Sequence, residues 1–181
     1  MIKIPVFLTS DDKYAPFVAT TMASILLNTK EFVEFYILDC GISKKNKEKI
    51  IKTNKFFKNF SIEFLNVDLK KFFNDFPELE NISKAMYARY LIPVLKPNLK
   101  KVIYSDIDVA FVGDIKELYQ ENLENKALGA VPSQRGKLNN DYKELKSKLN
   151  LSSLHKFFMS GLLLIDCELW NKFDITNKLL K

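Results

Sequence analysis

Short apolar runs alternate with longer amphipathic stretches through most of the chain, and this rhythm restricts the fold more than any other feature. Two parallel strands cannot be joined by a tight turn; they need a crossover of about a dozen or more residues, usually a helix. The alternation therefore predicts an α/β fold, a sandwich of helices on a mainly parallel central sheet. At 181 residues the chain holds one well-buried unit, and a single domain is expected over residues 1–181.

Local signals place the elements. "IPVFLTS" predicts a first strand, and residues 15–27, with Val18, Met22 and Ile25 on one stripe, predict a helix starting near Pro16. "FVEFYILD" predicts a strand ending at Asp39, with a turn at Gly41. Ser43 then suits the N-cap of a lysine-rich helix, "KKNKEKIIKTNKFF", that buries Ile50, Ile51 and Phe57. "FSIEFLNVD" predicts the third strand, and "SKAMYARYLIPVL" a helix stopped near Pro93. "KVIYSD", "ALGAVPS" and "FFMSGLLLID" predict three more strands, the last buried along its length. Residues 134–156 suggest a polar surface helix, and "CELWNKFDITNKLLK" one closing helix.

Composition narrows the class. The chain is 47% hydrophobic and 13% aromatic, which argues for a packed core against disorder. Its +6 charge rests mostly on lysine and makes phosphate-bearing molecules and anionic surfaces candidate partners. The lysine-rich helix lacks interleaved exposed aromatics, so it reads as a solvated face and nucleic acid is not expected. Cys40 and Cys167 have no metal-ligand spacing and read as buried, reduced thiols. Neither a secretory signal nor an apolar run of about 18 residues is present, so a cytoplasmic location is expected.

In open α/β sheets ligands gather outside the carboxyl ends of the strands. Residues 9–12, Asp39, Asp68 and residues 106–108 all fall at such ends. The most informative is "VIYSDIDVAF", where strand alternation would send Asp106 and Asp108 to one side. Paired carboxylates repel unless a cation lies between them, and Mg²⁺ or Mn²⁺ commonly bridges such groups to phosphates. The plain alternative is a turn whose aspartates cap backbone amides. A haloacid-dehalogenase-type phosphatase also ends a strand with two aspartates around magnesium. Against it, Ala110 stands where threonine or valine is usual, and about a hundred residues precede the pair.

Neither glycine-rich nucleotide loop occurs. In "TSDDKYA", Asp11 can accept from an imide N–H and Tyr14 can stack on a base; the alternative is a helix N-cap at Asp11 or Asp12. Arg89 stands out in a lysine-dominated chain, because its fork suits phosphate or sugar hydroxyls as well as an ion pair. His155 is the sole histidine, which excludes a multi-histidine zinc site and reads as a loop or packing residue.

Taken in order, "VFLTSDDKYA", "FYILDCGIS", "YAR", "VIYSDIDVAFVGDIKELY", "LGAV" and "MSGLLLIDCELW" resemble glycosyltransferase family 8 over essentially the whole chain. The resemblance implies a GT-A-like nucleotide-sugar-binding sandwich. It further implies retaining, metal-dependent transfer of a hexose from a UDP-sugar to a glycan acceptor, such as lipopolysaccharide or another surface polysaccharide. By it, Asp106 and Asp108 form the metal site for Mn²⁺ or Mg²⁺, with Asp108 a direct ligand and Asp106 also near the donor sugar. Thr9, Asp11 and Tyr14 would hold the uridine, and Arg89 would reach the donor. Ile107 would lie at the same site, with Ser160 and Gly161 lining the sugar pocket through their backbone.

Three positions depart from the pattern. Met159 stands where an amide-bearing asparagine is common, Ser133 near a frequent acid, and Lys13 where asparagine is frequent. The family's further acidic motif, metal-binding histidine and phosphate-binding lysine would fall beyond Lys181. The 181 residues are thus expected to hold the donor-binding part, which either turns over or binds UDP and metal without turnover. Peripheral contact with the inner membrane face and self-association complete the expected partners.

Overall fold

In the computed structural model, described for residues 2–78, 83–133, 144, 146–152 and 156–181, the strands form one six-stranded sheet. They are β1 (Lys3–Ser10), β2 (Phe32–Asp39), β3 (Phe60–Asn66), β4 (Lys101–Ser105), β5 (Leu128–Pro132) and β6 (Phe158–Asp166), in the order β3-β2-β1-β4-β6-β5. The contacts β3-β2, β2-β1 and β1-β4 are parallel, and β6 runs antiparallel to both neighbours. The expected α/β sandwich with a mainly parallel sheet is what forms.

The register explains where a site can lie. Ser10 pairs with Asp39, Asp39 with Asn66, and Leu8 with Ser105, so the carboxyl ends of the parallel strands form one rim. β1 is inside the sheet and covered on both faces, which is why its run is nearly continuously apolar. Its side chains alternate between two cores. Ile4, Val6 and Leu8 meet Val18, Met22 and Ile25 of α1 (Ala15–Asn28), while Phe7 joins Tyr104, Leu163 and Trp170 on the other face.

Ser43 caps α2 (Lys44–Ile51) as expected, accepting from the Asn46 N–H at 3.3 Å. α2 continues only as a 3-10 turn, Lys52–Lys55. Ile50 is buried and Phe57 half-buried, but Ile51 is 43% exposed, because it lies about 100° around the helix from Ile50. α3 (Leu69–Phe73) follows β3 and buries Phe73.

Three expectations fail locally. Pro93 does not stop a helix. A 3-10 helix, Lys84–Leu91, runs into α4 (Ile92–Leu95), and Pro93 occupies the first turn, where its missing N–H costs nothing. β6 is buried only in its second half: Phe158 and Met159 at its start are 50% and 58% exposed. The closing helix is two, α6 (Cys167–Lys172) and α7 (Ile175–Leu179), broken by Asp174 at φ 52°. Between β4 and β5 lies α5 (Ile115–Gln120). Most of the expected surface helix over residues 134–156, and His155 itself, lie outside the described residues.

The break in the last helix has a purpose in packing. Trp170 Nε1 donates to Thr176 Oγ1 at 2.9 Å, and that hydroxyl donates to the Tyr90 carbonyl at 2.8 Å, tying the chain end to the Lys84–Leu91 helix. Thr176→Val keeps the shape but orphans both partners, and is expected to cost about 1–3 kcal/mol. Urea unfolding should show a lowered midpoint with an unchanged slope.

Cys40 is partly buried and Cys167 buried; both are free thiols, and burial pushes each up to about 12. No described helix is long and apolar enough to cross a membrane.

Candidate functional site

A cleft of about 490 Å³ opens at the carboxyl rim. The end of β1 supplies Thr9, the loop from β1 to α1 Asp11 and Tyr14, the 3-10 helix Arg89, and the turn after β4 Asp106, Ile107 and Asp108. Ser160 of β6 closes it. Every residue assigned to the site by sequence lines this cleft except Gly161, which stands directly behind Asp106.

The aspartate pair arises differently from the expectation. β4 ends at Ser105, and Ile107 and Asp108 form a turn, so strand alternation does not set their direction. The turn is instead fastened to α1. Thr21 Oγ1 donates to the Ile107 carbonyl at 2.7 Å, and Ser24 and Asn28 bond the Phe111 backbone at 3.0 Å each. Ile107 packs against the first core, which leaves the carboxylates beside it at the cleft.

Asp106 is the held member of the pair. Its Oδ1 accepts from Arg89 Nη2 at 3.1 Å and from the Tyr104 hydroxyl at 2.5 Å, and its N–H donates to the Gly161 carbonyl at 2.7 Å. Arg89 is itself fixed. Its Nε donates to the Met86 carbonyl at 2.7 Å, its Nη1 to the Ser160 carbonyl at 2.5 Å, and its guanidinium lies 4.5 Å from the Tyr104 ring centre. Such a fork uses several fixed directions at once, which lysine cannot do. Asp108 is exposed and has no hydrogen-bond or ion-pair partner among the described residues.

An irregularity in β6 makes these contacts available. Ala130 of β5 pairs with Leu163, but the next residue, Val131, pairs with Met159. Residues 160–162 therefore bulge from the β5 side, and re-aimed backbone is what such bulges provide. The Ser160 carbonyl turns to Arg89, while the Gly161 carbonyl accepts the Asp106 N–H in continuation of the regular β4–β6 ladder. A Cβ at Gly161 would lie 2.9 Å from Asp106 Oδ2, so only glycine leaves that carboxylate its place.

The other rim acids belong to the scaffold. Asp39 is 3% exposed; it accepts from the Gly41 and Ile42 N–H groups at 3.0 and 2.6 Å and pairs with Lys47. Asp68 caps α3 through the Lys71 N–H at 3.0 Å. Hydrogen bonds from Ser43 and Asn46 hold the Asp12 carboxyl below its usual range. Asp11 does both jobs: its Oδ1 accepts from the Tyr14 N–H at 3.1 Å, and it lines the cleft.

Two side chains that sequence reading passed over also belong here. Phe17, 52% exposed, has its ring centre 6.4 Å from that of Tyr14. Tyr104 is almost wholly buried, and desolvation pushes its phenol far above the usual range, so it remains a donor. Its signal was its place in β4 two residues before Asp106. Met159, where the family pattern has asparagine, is exposed and does not line the cleft.

The chemistry of the site fits a hard divalent cation that brings its own oxygens. Two carboxylates stand on one turn, and Mg²⁺-like ions are commonly held by one or two carboxylates plus phosphates. No group of three His, Cys, Asp or Glu side chains gathers for a metal among the described residues. The Thr9 hydroxyl is fully buried beside Tyr104 and has no well-aligned hydrogen-bond partner among the described residues.

Comparisons with known proteins bear on the fold and the family. General stress protein A of Bacillus subtilis is 32% identical over 175 residues, 94% of this chain and 58% of the relative. A putative glycosyltransferase of Haemophilus influenzae is 31% identical over 174 residues, 96% of this chain and 51% of the relative. The chain thus spans little more than half the length of these curated relatives. Among solved structures, the galactosyltransferase LgtC in complex with donor and acceptor sugar analogues superposes with a TM-score of 0.84 at 25% identity, over 96% of this chain and 62% of LgtC. It shares the GT-A sandwich. The pattern described as glycosyl transferase family 8 matches residues 5–181, which decides between transferase and phosphatase for a cleft with this aspartate pair, and the chain belongs to that family.

Proposed function

We propose that this chain binds a UDP-sugar and transfers its hexose, with retention, to a glycan acceptor of the cell surface. One observation carries the reading: one cleft is lined by an exposed Asp108 that has no partner among the described residues, by an Arg89-held Asp106, and by Tyr14 and Asp11. In this reading Asp106 and Asp108 hold Mn²⁺ or Mg²⁺. The cation supplies Lewis-acid neutralisation of the charge developing on the departing pyrophosphate.

The chain's own groups do the rest. Tyr14 offers an exposed ring for the base, and Asp11 keeps one carboxylate oxygen for an imide N–H while the other accepts from the Tyr14 N–H. Thr9 lines the cleft beside them and would hold the uridine through its accessible atoms, its hydroxyl being buried against Tyr104. Arg89, fixed on three carbonyl or carboxylate partners, holds the charge of Asp106 and the position of the Ser160–Gly161 backbone, where the sugar would lie. Transfer with retention would place the acceptor hydroxyl on the face that UDP leaves. Lipopolysaccharide or a related polysaccharide is the acceptor class we favour.

Peripheral contact with an anionic membrane face, on a cytoplasmic protein, belongs to the same reading. It is supported by the exposed lysines Lys44, Lys45, Lys52 and Lys55 and by Phe56, which is 81% exposed in a stretch where no exposed aromatic was expected. Self-association belongs to the same reading, and the exposed start of β6 is the surface that favours it.

Calorimetric titration of UDP into the purified chain, first with manganese and then with excess chelator, tests the donor site. Saturable binding that requires manganese is the expected result. Equal binding in chelator, or none with manganese, overturns it. Release of UDP from a UDP-sugar only when an acceptor glycan is added then separates transfer from binding alone.

A further inference from the structure

Tyr104 is among the largest fully buried side chains of the protein, yet packing alone does not require its hydroxyl. Phenylalanine would fill the same volume without a buried polar atom that must find a partner. The partner it has is Asp106 Oδ1, at 2.5 Å, the same oxygen that takes Arg89 Nη2 at 3.1 Å. The Tyr104 ring also lies 4.5 Å from the Arg89 guanidinium. One side chain therefore touches both members of the ion pair. It supports Arg89 by its face and Asp106 by its edge.

The consequence falls on the other carboxylate oxygen. Two donors converge on Oδ1, which sets the plane of the carboxylate and leaves Oδ2 without a partner among the described residues. Oδ2 lies over Gly161, where the missing Cβ gives it room at 2.9 Å. We infer that Tyr104 is a positioning residue: its hydroxyl, with Arg89, fixes Asp106 so that Oδ2 alone is presented to the nucleotide-bound cation. The inference rests on the proposed donor site. Partners of this outer kind orient a ligand and commonly change metal affinity 10–100-fold when lost.

Tyr104→Phe is the test, because it removes one oxygen and keeps the ring under Arg89. Manganese-dependent UDP binding is expected to weaken about 10–100-fold, with a matching rise in the manganese concentration needed for half-saturation. The thermal midpoint should hardly move. Tyr104→Leu, which also strips the face from Arg89, should lose both binding and stability. Should Tyr104→Phe fold poorly, Gly161→Ala disturbs Oδ2 with Tyr104 and Arg89 intact, and the same manganese-selective loss is expected. Wild-type-like manganese dependence in the folded variant overturns the inference and leaves the donor site standing. Failure of the wild-type chain itself to bind UDP with manganese overturns the donor site, and the inference with it.

Discussion

Asp108→Ala is expected to weaken manganese-dependent UDP binding by at least about 100-fold, beyond the range usual for outer-shell partners, with no measurable loss of fold stability. The two halves have separate causes. Asp108 is exposed on a turn and makes no hydrogen bond or ion pair among the described residues, so the folded state loses nothing when it goes. Surface changes away from caps and networks usually stay within about 0.5 kcal/mol. As a direct ligand, however, it would supply one of only two protein carboxylates at the cation. Calorimetry with manganese alongside thermal unfolding reads both quantities. A variant that binds like the wild type would remove Asp108 from the metal site and leave the turn as plain loop geometry.

Arg89→Ala should show the opposite balance, with both stability and binding falling. The substitution deletes donors to the Met86 and Ser160 carbonyls and to Asp106, and bares the face of Tyr104. Breaking a buried ion pair from one side costs about 3–5 kcal/mol. The Asp106 side chain is 34% exposed, so water screens part of this, and about 2–3 kcal/mol is the expected loss. Arg89→Lys should recover only part of it, since a point charge cannot serve three partners in fixed directions. Urea unfolding gives the stability change and UDP titration the binding change. Unfolding unchanged in Arg89→Ala would mean that the Arg89–Tyr104–Asp106 cluster does not hold this rim together.

How much of this was legible beforehand depended on whether the signal was local. The β1–α1–β2–α2–β3 order was readable because strand alternation and helical stripes repeat within each segment. β2 matches its expected span, Phe32–Asp39, residue for residue. The Ser43 cap was readable because a cap is a contact within one turn. The candidate site was half legible. Acids at strand ends marked the rim at which the cleft opens, but the same residue type does two jobs there. Asp39, Asp68 and Asp12 satisfy backbone or side-chain donors, whereas Asp106 and Asp108 face the cleft.

By itself, then, the sequence determined the α/β class, the parallel half of the sheet, the rim and the family, because each follows from patterns carried by neighbouring residues or by their order. Only the tertiary structure decided which carboxylate is free, because that depends on donors far away along the chain. Arg89 reaches Asp106 from 17 residues off, and the Ser160 carbonyl meets Arg89 across 71. The β6 bulge, the exposure of Phe158 and Met159, and the role of Tyr104 arise the same way. Each is set by what packs beside it, and no local period encodes that.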